Sequence, residues 1–227
     1  MMDQKPEAVL FDLDGTLADT APDLIAALER LRLALGLPEI ETGSLRQRVG
    51  RGAVAVLEGG LPELGEADRE TLRARFLDDY QARCWDASRP FDGIPDFLDE
   101  LEALDVPWGI VTNKLERFAR PVLARAGWAD RIACLVAGDS TARAKPAPDP
   151  VLAACSALNA DPRRTIFIGD DERDVVAGRA AGVQTIAALW GYIPDPARVR
   201  TWGADAIAET PGALADLLDL RRLRAAV

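Results

Sequence analysis

From residue 95 onward, short apolar runs alternate with segments of helical periodicity, and no other feature of the sequence restricts the possible folds as strongly. Strands that alternate with helices are joined by right-handed crossovers, so they lie parallel in one open sheet with helices packed against it. The predicted strands cover residues 108–112, 133–137, 165–168 and 184–189, and the predicted helices cover residues 95–104, 116–126, 150–158, 173–181 and 212–224.

The first part of the chain has a different pattern, in which one strand is followed by helices alone. The apolar run Ala8–Phe11 is the predicted strand, and the helices after it cover residues 22–35, 44–57 and 67–85. A linker rich in proline and glycine follows. We therefore predict an α/β fold, with a doubly wound parallel, Rossmann-like sheet core formed by residues 1–17 and 91–227. An all-helical cap, residues 18–90, is inserted into that core, and the ligand of such a sheet lies beyond the carboxyl ends of its strands.

The charge balance and the absence of histidine narrow the chemistry that is open to this chain. It carries 37 acidic and 27 basic residues, and this surplus of negative charge argues against non-specific binding to nucleic acid. Without imidazole, any acid–base or metal chemistry has to use carboxylates, which favour hard cations such as Mg²⁺. Since no apolar run is long enough for a signal peptide or a membrane span, we expect a cytoplasmic protein with no membrane partner.

Polar side chains follow three of the predicted strands, at the point where each strand ends. Because the carboxyl ends of parallel strands share one edge of the sheet, we expect these side chains to converge. The groups are Asp12 and Asp14 after the first strand, Thr112 and Asn113 after the strand at 108–112, Asp170, Asp171 and Asp174 after the strand at 165–168, and Lys145 between the last two.

These residue types together suit a phosphate and a divalent cation. Two carboxylates one residue apart, Asp12 and Asp14, can share a cation or divide the roles of nucleophile and proton donor. Several acids at one strand end repel each other unless a cation lies between them. The hydroxyl of Thr112 and the backbone amides after it can donate to a phosphate oxygen, and the ammonium of Lys145 can offset negative charge.

In this order, the groups resemble the four motifs of the haloacid dehalogenase superfamily, in its branch of phosphatases with a helical cap. The match extends over essentially the whole chain. The matching residues are Asp12-Leu13-Asp14-Gly15-Thr16, then Thr112, then Lys145, and finally Gly169-Asp170 with Asp174.

The resemblance implies a magnesium-dependent phosphatase whose substrate is a small phosphomonoester. It implies that Asp12 attacks phosphorus and forms an aspartyl-phosphate, and that Asp14 protonates the leaving oxygen and then deprotonates the hydrolytic water. It further implies that Thr112, Asn113 and Lys145 hold the phosphoryl oxygens. The implied Mg²⁺ ligands are a carboxylate oxygen of Asp12, the backbone carbonyl of Asp14, and Asp170, with Asp171 or Asp174 acting through water.

Substrate choice is expected to lie in the cap. Arg46, Arg48 and Arg51 surround a helix break at Gly50 and Gly52, and Arg48 or Arg51 can bind a substrate carboxylate in a bidentate manner. The core pattern, which includes Val111-Thr112-Asn113-Lys114, is similar to phosphoglycolate phosphatases. The stretches at 107–114, 169–174, 190–194 and 202–205 look slightly closer to the phosphatases of N-acetylmuramic acid 6-phosphate in peptidoglycan recycling. Both substrates carry a carboxylate.

Other activities of the same superfamily stay open at this point. A sugar phosphomutase of the β-phosphoglucomutase type uses the same two aspartates, and a broad-specificity sugar-phosphate phosphatase is a further alternative. A dehalogenase is disfavoured, because it needs neither a second acid such as Asp14 nor the metal. A phosphonatase is disfavoured because residues 18–90 contain no lysine to form a Schiff base. The sequence gives no indication of the oligomeric state.

Overall fold

The computed structural model describes residues 5–220, and its centre is a parallel six-stranded sheet. The strand order is β5-β4-β1-β6-β7-β8, with β1 at the middle, so the predicted doubly wound parallel sheet is confirmed. The strands are β1 (Ala8–Phe11), β2 (Ala18–Asp19), β3 (Arg89–Pro90), β4 (Trp108–Val111), β5 (Cys134–Val136), β6 (Thr165–Gly169), β7 (Gln184–Ala188) and β8 (Ala206–Ala208).

Helices cover both faces of this sheet, which is why its central strands are apolar without interruption. Along β1 the side chains alternate between the faces: Val9 and Phe11 pack in one apolar cluster, whereas Leu10 packs in another. The helices are α1 (Ala21–Ala34), α2 (Arg46–Val49), α3 (Ala53–Gly60), α4 (Glu66–Arg83), α5 (Ile94–Ala103), α6 (Glu116–Arg125), α7 (Asp149–Leu158), α8 (Glu172–Ala181) and α9 (Leu214–Leu217).

The helices α1 to α4 follow β1 and precede β4 along the chain, and they pack on one another. Leu28 and Leu31 of α1 are buried against Phe76 of α4, as their spacing of three and four residues predicts. The helical stretch at 44–57 is interrupted at Gly50 and Gly52, as predicted, and consists of a short 3₁₀ turn, α2 and α3. Gly52 lies at the division with φ +87°, a conformation that favours glycine.

The chain passes into and out of this helical segment at one place. Strands β2 and β3 pair antiparallel, with Ala18 opposite Pro90 and Asp19 opposite Arg89. The carboxylate of Asp23 strengthens this junction, because it accepts hydrogen bonds from the backbone amides of Ala87 and Ser88. The division into a core (1–17 and 91–227) and a cap (18–90) stays a prediction, although β2 and β3 lie at its boundaries.

Two further differences from the predicted elements concern the end of the chain. Strand β8 was not predicted, since its three residues are too few to show an alternating pattern. The helix predicted at 212–224 is present as α9, Leu214–Leu217, after a 3₁₀ turn, and residues 221–224 lie outside the described part. Within residues 5–220, no helix combines the length and the apolar character that crossing a membrane requires.

Candidate active site

A cavity of 280 Å³ lies between the carboxyl edge of the sheet and the helices α1 to α4. Residues from the ends of β1, β4 and β6 form its floor, including Asp12, Asp14, Thr112 and Asp174. Its upper wall is largely apolar. The apolar lining comes from Leu24, Val49, Val54, Leu77, Tyr80, Leu115 and Phe118. The cavity therefore combines a charged floor with a largely apolar wall.

Lys145 links two carboxylates on this floor. Its ammonium lies 3.0 Å from Oδ1 of Asp12 and 2.7 Å from Oδ1 of Asp174, and it donates to the backbone carbonyl of Val111 at 2.7 Å. The side chain is only 2% exposed. An ammonium has three N–H donors, and three acceptors surround this one. Burial disfavours its charge, but Asp12 and Asp174 more than compensate, so the pKa of Lys145 is raised.

Asp12, Asp170 and Asp174 form a cluster of three acids. Each offers a carboxylate oxygen, and these oxygens lie within 4.8 Å of one another. Burial, together with the charges of Asp12 and Asp174, raises the pKa of Asp170 well above its usual value. Burial also raises the pKa of Asp174, to about 7, although Lys145 opposes the shift. Lys145 alone therefore does not neutralise the cluster.

These donors fit a hard divalent cation, because all of them are oxygens and most are withdrawn from water. The glycines around Asp170 and Asp174 leave no space for an added side chain. A Cβ atom at Gly15 or Gly191 would overlap the Asp170 carboxylate, and one at Gly169 would overlap that of Asp174. Gly15 additionally has φ +90°, which favours glycine.

Asp170 is oriented by two donors from separate parts of the chain. The hydroxyl of Thr16 donates to its Oδ1 at 2.8 Å, and the backbone amide of Tyr192 donates to its Oδ2 at 2.8 Å. The hydroxyl of Tyr192 in turn accepts hydrogen bonds from the amides of Thr20 and Ala21 at the start of α1. Tyr192 therefore connects the acid cluster to the first helix after β2.

Of the two acids left open as a further metal ligand, the structure brings Asp174 to Asp12 and Asp170. Asp171 is the N-cap of α8, where its carboxylate accepts hydrogen bonds from the backbone and the guanidinium of Arg173. The charge of Arg173 outweighs burial and lowers the pKa of Asp171. Arg173 also donates to the carbonyl of Gly50 at 2.5 Å, between α2 and α3. Asp171 thus caps α8 and holds Arg173, which contacts the cap at Gly50.

Asp14 has hydrogen-bond partners of its own, separate from this cluster. Thr20 donates its hydroxyl to Oδ1 of Asp14 at 2.5 Å, and Lys114 Nζ lies 2.9 Å from both carboxylate oxygens. The same ammonium lies 4.9 Å from the ring centroid of Tyr80 on α4. Burial disfavours the charge of Lys114, but Asp14 and Tyr80 together raise its pKa.

The two predicted phosphate-binding residues at the end of β4 differ in their surroundings. Thr112 is buried at the cavity floor, where its hydroxyl accepts from the amide of Lys114 at 3.2 Å. The side-chain amide of Asn113 instead forms a pair of hydrogen bonds, 2.9 and 3.0 Å long, with the backbone of Lys145. The Asn113 side chain therefore positions the Lys145 segment.

The three arginines predicted near the helix break separate in the structure. Arg51 lines the cavity and is exposed. Arg48 does not line it, since its side chain lies along Gly59 of α3. Arg46 pairs with Asp19 at 2.9 Å. Arg73 of α4, which the sequence did not single out, lines the cavity as well.

Sequence reasoning also missed Lys114 and Tyr80 as members of this site. A signal for Lys114 exists in the composition. Among the 27 basic residues only three are lysines, and two of these three, Lys114 and Lys145, contact the carboxylates of Asp14 and Asp12. For Tyr80 the helical spacing on α4 indicates only a buried position.

Comparison with known proteins supports a single family. The family model described as haloacid dehalogenase-like hydrolase matches residues 9–188. An N-acetylmuramic acid 6-phosphate phosphatase of Pseudomonas aeruginosa is 47% identical over 94% of this chain and 95% of its own length. The Pseudomonas putida enzyme of that name is 41% identical over 93% of this chain and 96% of its own. A phosphoglycolate phosphatase of Xanthomonas campestris is 42% identical over 91% of this chain and 93% of its own length.

Solved structures show the same fold at lower identity. A predicted phosphoglycolate phosphatase from Haemophilus somnus superposes with a TM-score of 0.83 at 23% identity, covering 95% of this chain and 99% of that one. A protein from Thermotoga maritima proposed to be a β-phosphoglucomutase has a TM-score of 0.79 at 23% identity, covering 94% and 98%. At these identities the likeness extends to the fold alone.

Proposed function

The chain belongs to the haloacid dehalogenase-like hydrolases, and from that membership we propose that it is a magnesium-dependent phosphatase acting through an aspartyl-phosphate on Asp12. As a phosphoric monoester hydrolase it shares its class with the relatives that are 41–47% identical to it. The metal, the covalent intermediate and the substrate are the parts that the proposal adds.

One observation supports the mechanism above all others: Asp12 lies at the cavity floor beside an ammonium and two further acids. Lys145 contacts Asp12 at 3.0 Å, and the oxygens of Asp170 and Asp174 lie within 4.8 Å of those of Asp12. A carboxylate in this position can approach an anionic phosphate only if nearby positive charge offsets the repulsion.

The residues that would hold Mg²⁺ are Asp12, Asp170 and Asp174, with the backbone carbonyl of Asp14 as a further oxygen donor. When bound, Mg²⁺ supplies positive charge that offsets the negative charge of the phosphoryl group and of the three acids. Thr16 and Tyr192 keep the Asp170 carboxylate in its orientation.

The reaction proceeds in two displacements at phosphorus. A carboxylate oxygen of Asp12 bonds to phosphorus as the bond to the leaving oxygen breaks, and Asp14 gives that oxygen its proton. A water molecule then attacks the phosphorus of the aspartyl-phosphate, Asp14 takes a proton from the water, and the bond to Asp12 breaks to release phosphate. The hydroxyl of Thr112 holds a phosphoryl oxygen through both steps, and the ammonium of Lys145, whose three donors face protein acceptors, offsets the charge of the phosphoryl group from beside Asp12.

For the substrate, a phosphorylated sugar acid fits better than a two-carbon acid. The cavity of 280 Å³ extends from Asp14 past an apolar wall to Arg51 and Arg73. A leaving group that contacts both Asp14 and these arginines has to extend across the cavity. We therefore prefer N-acetylmuramic acid 6-phosphate to 2-phosphoglycolate, and Arg51 would bind its carboxylate.

The test is phosphate release from N-acetylmuramic acid 6-phosphate, 2-phosphoglycolate and glucose 6-phosphate, with Mg²⁺ and with EDTA. We expect the highest kcat/KM on N-acetylmuramic acid 6-phosphate, and no turnover in EDTA or by Asp12→Asn. Turnover by Asp12→Asn at the wild-type rate would contradict the mechanism. A preference for 2-phosphoglycolate would change the substrate and leave the mechanism in place.

A sugar phosphomutase is the second candidate, because it uses the same two aspartates. The same assay separates the two activities when β-glucose 1-phosphate is added. Glucose 6-phosphate formed faster than free phosphate would identify the mutase. Free phosphate without glucose 6-phosphate is the result expected of a phosphatase.

A further inference from the structure

Lys114 occupies a position between the core and the cap that the reaction described above does not use. Its ammonium is 2.9 Å from each carboxylate oxygen of Asp14, and its side chain is 8% exposed. Lys114 lies at the end of β4, in the core, whereas Tyr80 lies on α4 and contacts the same ammonium from above. One side chain therefore contacts both the acid–base residue and a cap helix.

The surroundings of Tyr80 indicate that its ring serves this contact. The residue is 1% exposed, and its hydroxyl makes no hydrogen bond of ordinary length among the described residues. The Tyr80 side chain is nevertheless one of the groups that raise the pKa of Lys114. The ring face lies 4.9 Å from Nζ of Lys114, a distance at which an aromatic ring attracts an ammonium.

The composition argues that lysine is specifically required at this position. The chain uses arginine for all but three of its 27 basic residues, yet position 114 is a lysine. A compact ammonium can lie against both oxygens of Asp14 and against a ring face, whereas the wider, planar guanidinium has a different fixed geometry.

We propose that Lys114 is a positioning residue for Asp14, and that Tyr80 keeps Lys114 in position when the cap lies over the core. This inference rests on the proposed function, in which Asp14 protonates the leaving oxygen. Lys114 and Thr20 together leave the Asp14 carboxylate little freedom to rotate. The alignment of the acid thereby depends on the seating of α4.

The experiment compares two leaving groups in single turnovers with Mg²⁺, in which the enzyme is in excess and its concentration is saturating. An alkyl phosphate, glucose 6-phosphate, requires a proton on its leaving oxygen, whereas 2,4-dinitrophenyl phosphate does not. In Lys114→Met we expect release of the alkyl group to slow about 10- to 100-fold, part of what general acid catalysis contributes, with release of dinitrophenolate nearly unchanged. Lys5→Met, the same change far from the cavity, should leave both rates at the wild-type value.

Three other results would overturn the role of Lys114. Equal slowing of both leaving groups, or no slowing of either, would remove the link to Asp14. A higher KM with unchanged single-turnover rates would make Lys114 a substrate-binding residue. Asp12→Asn, assayed beside these variants, tests the proposed function separately: if it is inactive while Lys114→Met behaves as wild type, only the inference about Lys114 fails.

A second pair of variants addresses Tyr80 and also covers the case in which Lys114→Met does not fold. Tyr80→Phe retains the ring face, and Tyr80→Leu removes it while keeping an apolar side chain. We expect Tyr80→Leu to slow the alkyl leaving group selectively and Tyr80→Phe to show no such selectivity. The same behaviour in both variants would overturn the role of the ring.

Discussion

Tyr192 donates its backbone amide to Oδ2 of Asp170 at 2.8 Å, while its hydroxyl accepts from the amides of Thr20 and Ala21. One residue thus fixes both an acid of the cluster and the first turn of α1. The hydroxyl also donates to Asp19 at 3.0 Å, next to the paired strands β2 and β3. The acid cluster and the entrance to the cap are therefore part of one hydrogen-bond network.

Replacing Tyr192 by phenylalanine should destabilise the fold. Two backbone amides of Thr20 and Ala21 would lose their acceptor in a buried place, which costs about 1–3 kcal/mol of the free energy of unfolding. The loss in the free energy of unfolding is measured by denaturant titration, with circular dichroism as the signal. Thr71→Val is the control, because that hydroxyl is exposed and its loss should change stability by less than about 0.5 kcal/mol. Equal effects of the two variants would show that the Tyr192 hydroxyl is dispensable.

Gly191→Ala should weaken magnesium binding. A Cβ atom there would overlap Asp170, so the carboxylate has to move away from Asp12 and Asp174. We expect the Mg²⁺ concentration for half-maximal activity to rise about 10- to 100-fold, as for other changes that displace a metal ligand. Gly43→Ala, with no neighbour within 4 Å, should leave the Mg²⁺ dependence unaltered. An unchanged Mg²⁺ dependence in Gly191→Ala would argue against Asp170 as a ligand.

Stability without metal should fall as the pH rises. The pKa of Asp174 is raised from 3.8 to about 7, so between these values the folded chain holds a proton that the unfolded chain has lost. The free energy of unfolding therefore decreases as the pH rises through this window and levels off above it. Mg²⁺ stabilises the ionised carboxylates, so the gain in Tm on adding Mg²⁺ should be greater near pH 8 than near pH 5.

Thermal unfolding with EDTA or with Mg²⁺, at several pH values, provides the measurement. Asp174→Asn serves as the control, because an amide has no proton to lose, and its stability in EDTA should depend less on pH. A gain in Tm that is constant from pH 5 to pH 8 would mean that these acids do not bind the cation.

Arg51→Met should impair binding of a substrate that carries a carboxylate. Arg51 lines the cavity at the cap, so KM for N-acetylmuramic acid 6-phosphate is expected to rise about 10-fold, the value of one charged hydrogen bond. KM for an aryl phosphate without a carboxylate should stay the same. Arg48→Met provides a matched control, because Arg48 lies outside the cavity. Equal KM values for Arg51→Met and Arg48→Met would exclude the arginine from substrate binding.

Much of the fold was predictable because the central strands are apolar throughout and end abruptly in polar residues. Asp12 and Thr112 both follow strands of this kind. Strand β8 and the β2–β3 pair escaped prediction, since two or three residues carry no periodicity and their pairing depends on distant parts of the chain.

The acids of the candidate site were predictable from the sequence, whereas the residues that hold those acids in place were not. Strand order brings Asp12 to Asp170, whereas the choice of Asp174 over Asp171 depends on a helix cap and on Arg173. The contacts of Lys114 and Tyr80 depend on how α4 lies over the sheet. No local pattern in the sequence carries that information.

The pairing of β2 with β3 places both ends of the inserted helices side by side. An insert whose ends are adjacent can be replaced as a unit, since both new joins fall at one place and the sheet needs no rearrangement. The strand ends with Asp12 and Asp170 would pass through such an exchange unaltered. An insert grafted from a relative would have to carry its own partner for Lys114 in place of Tyr80, so the residues of α4 that lie over the sheet decide which inserts this core can accept.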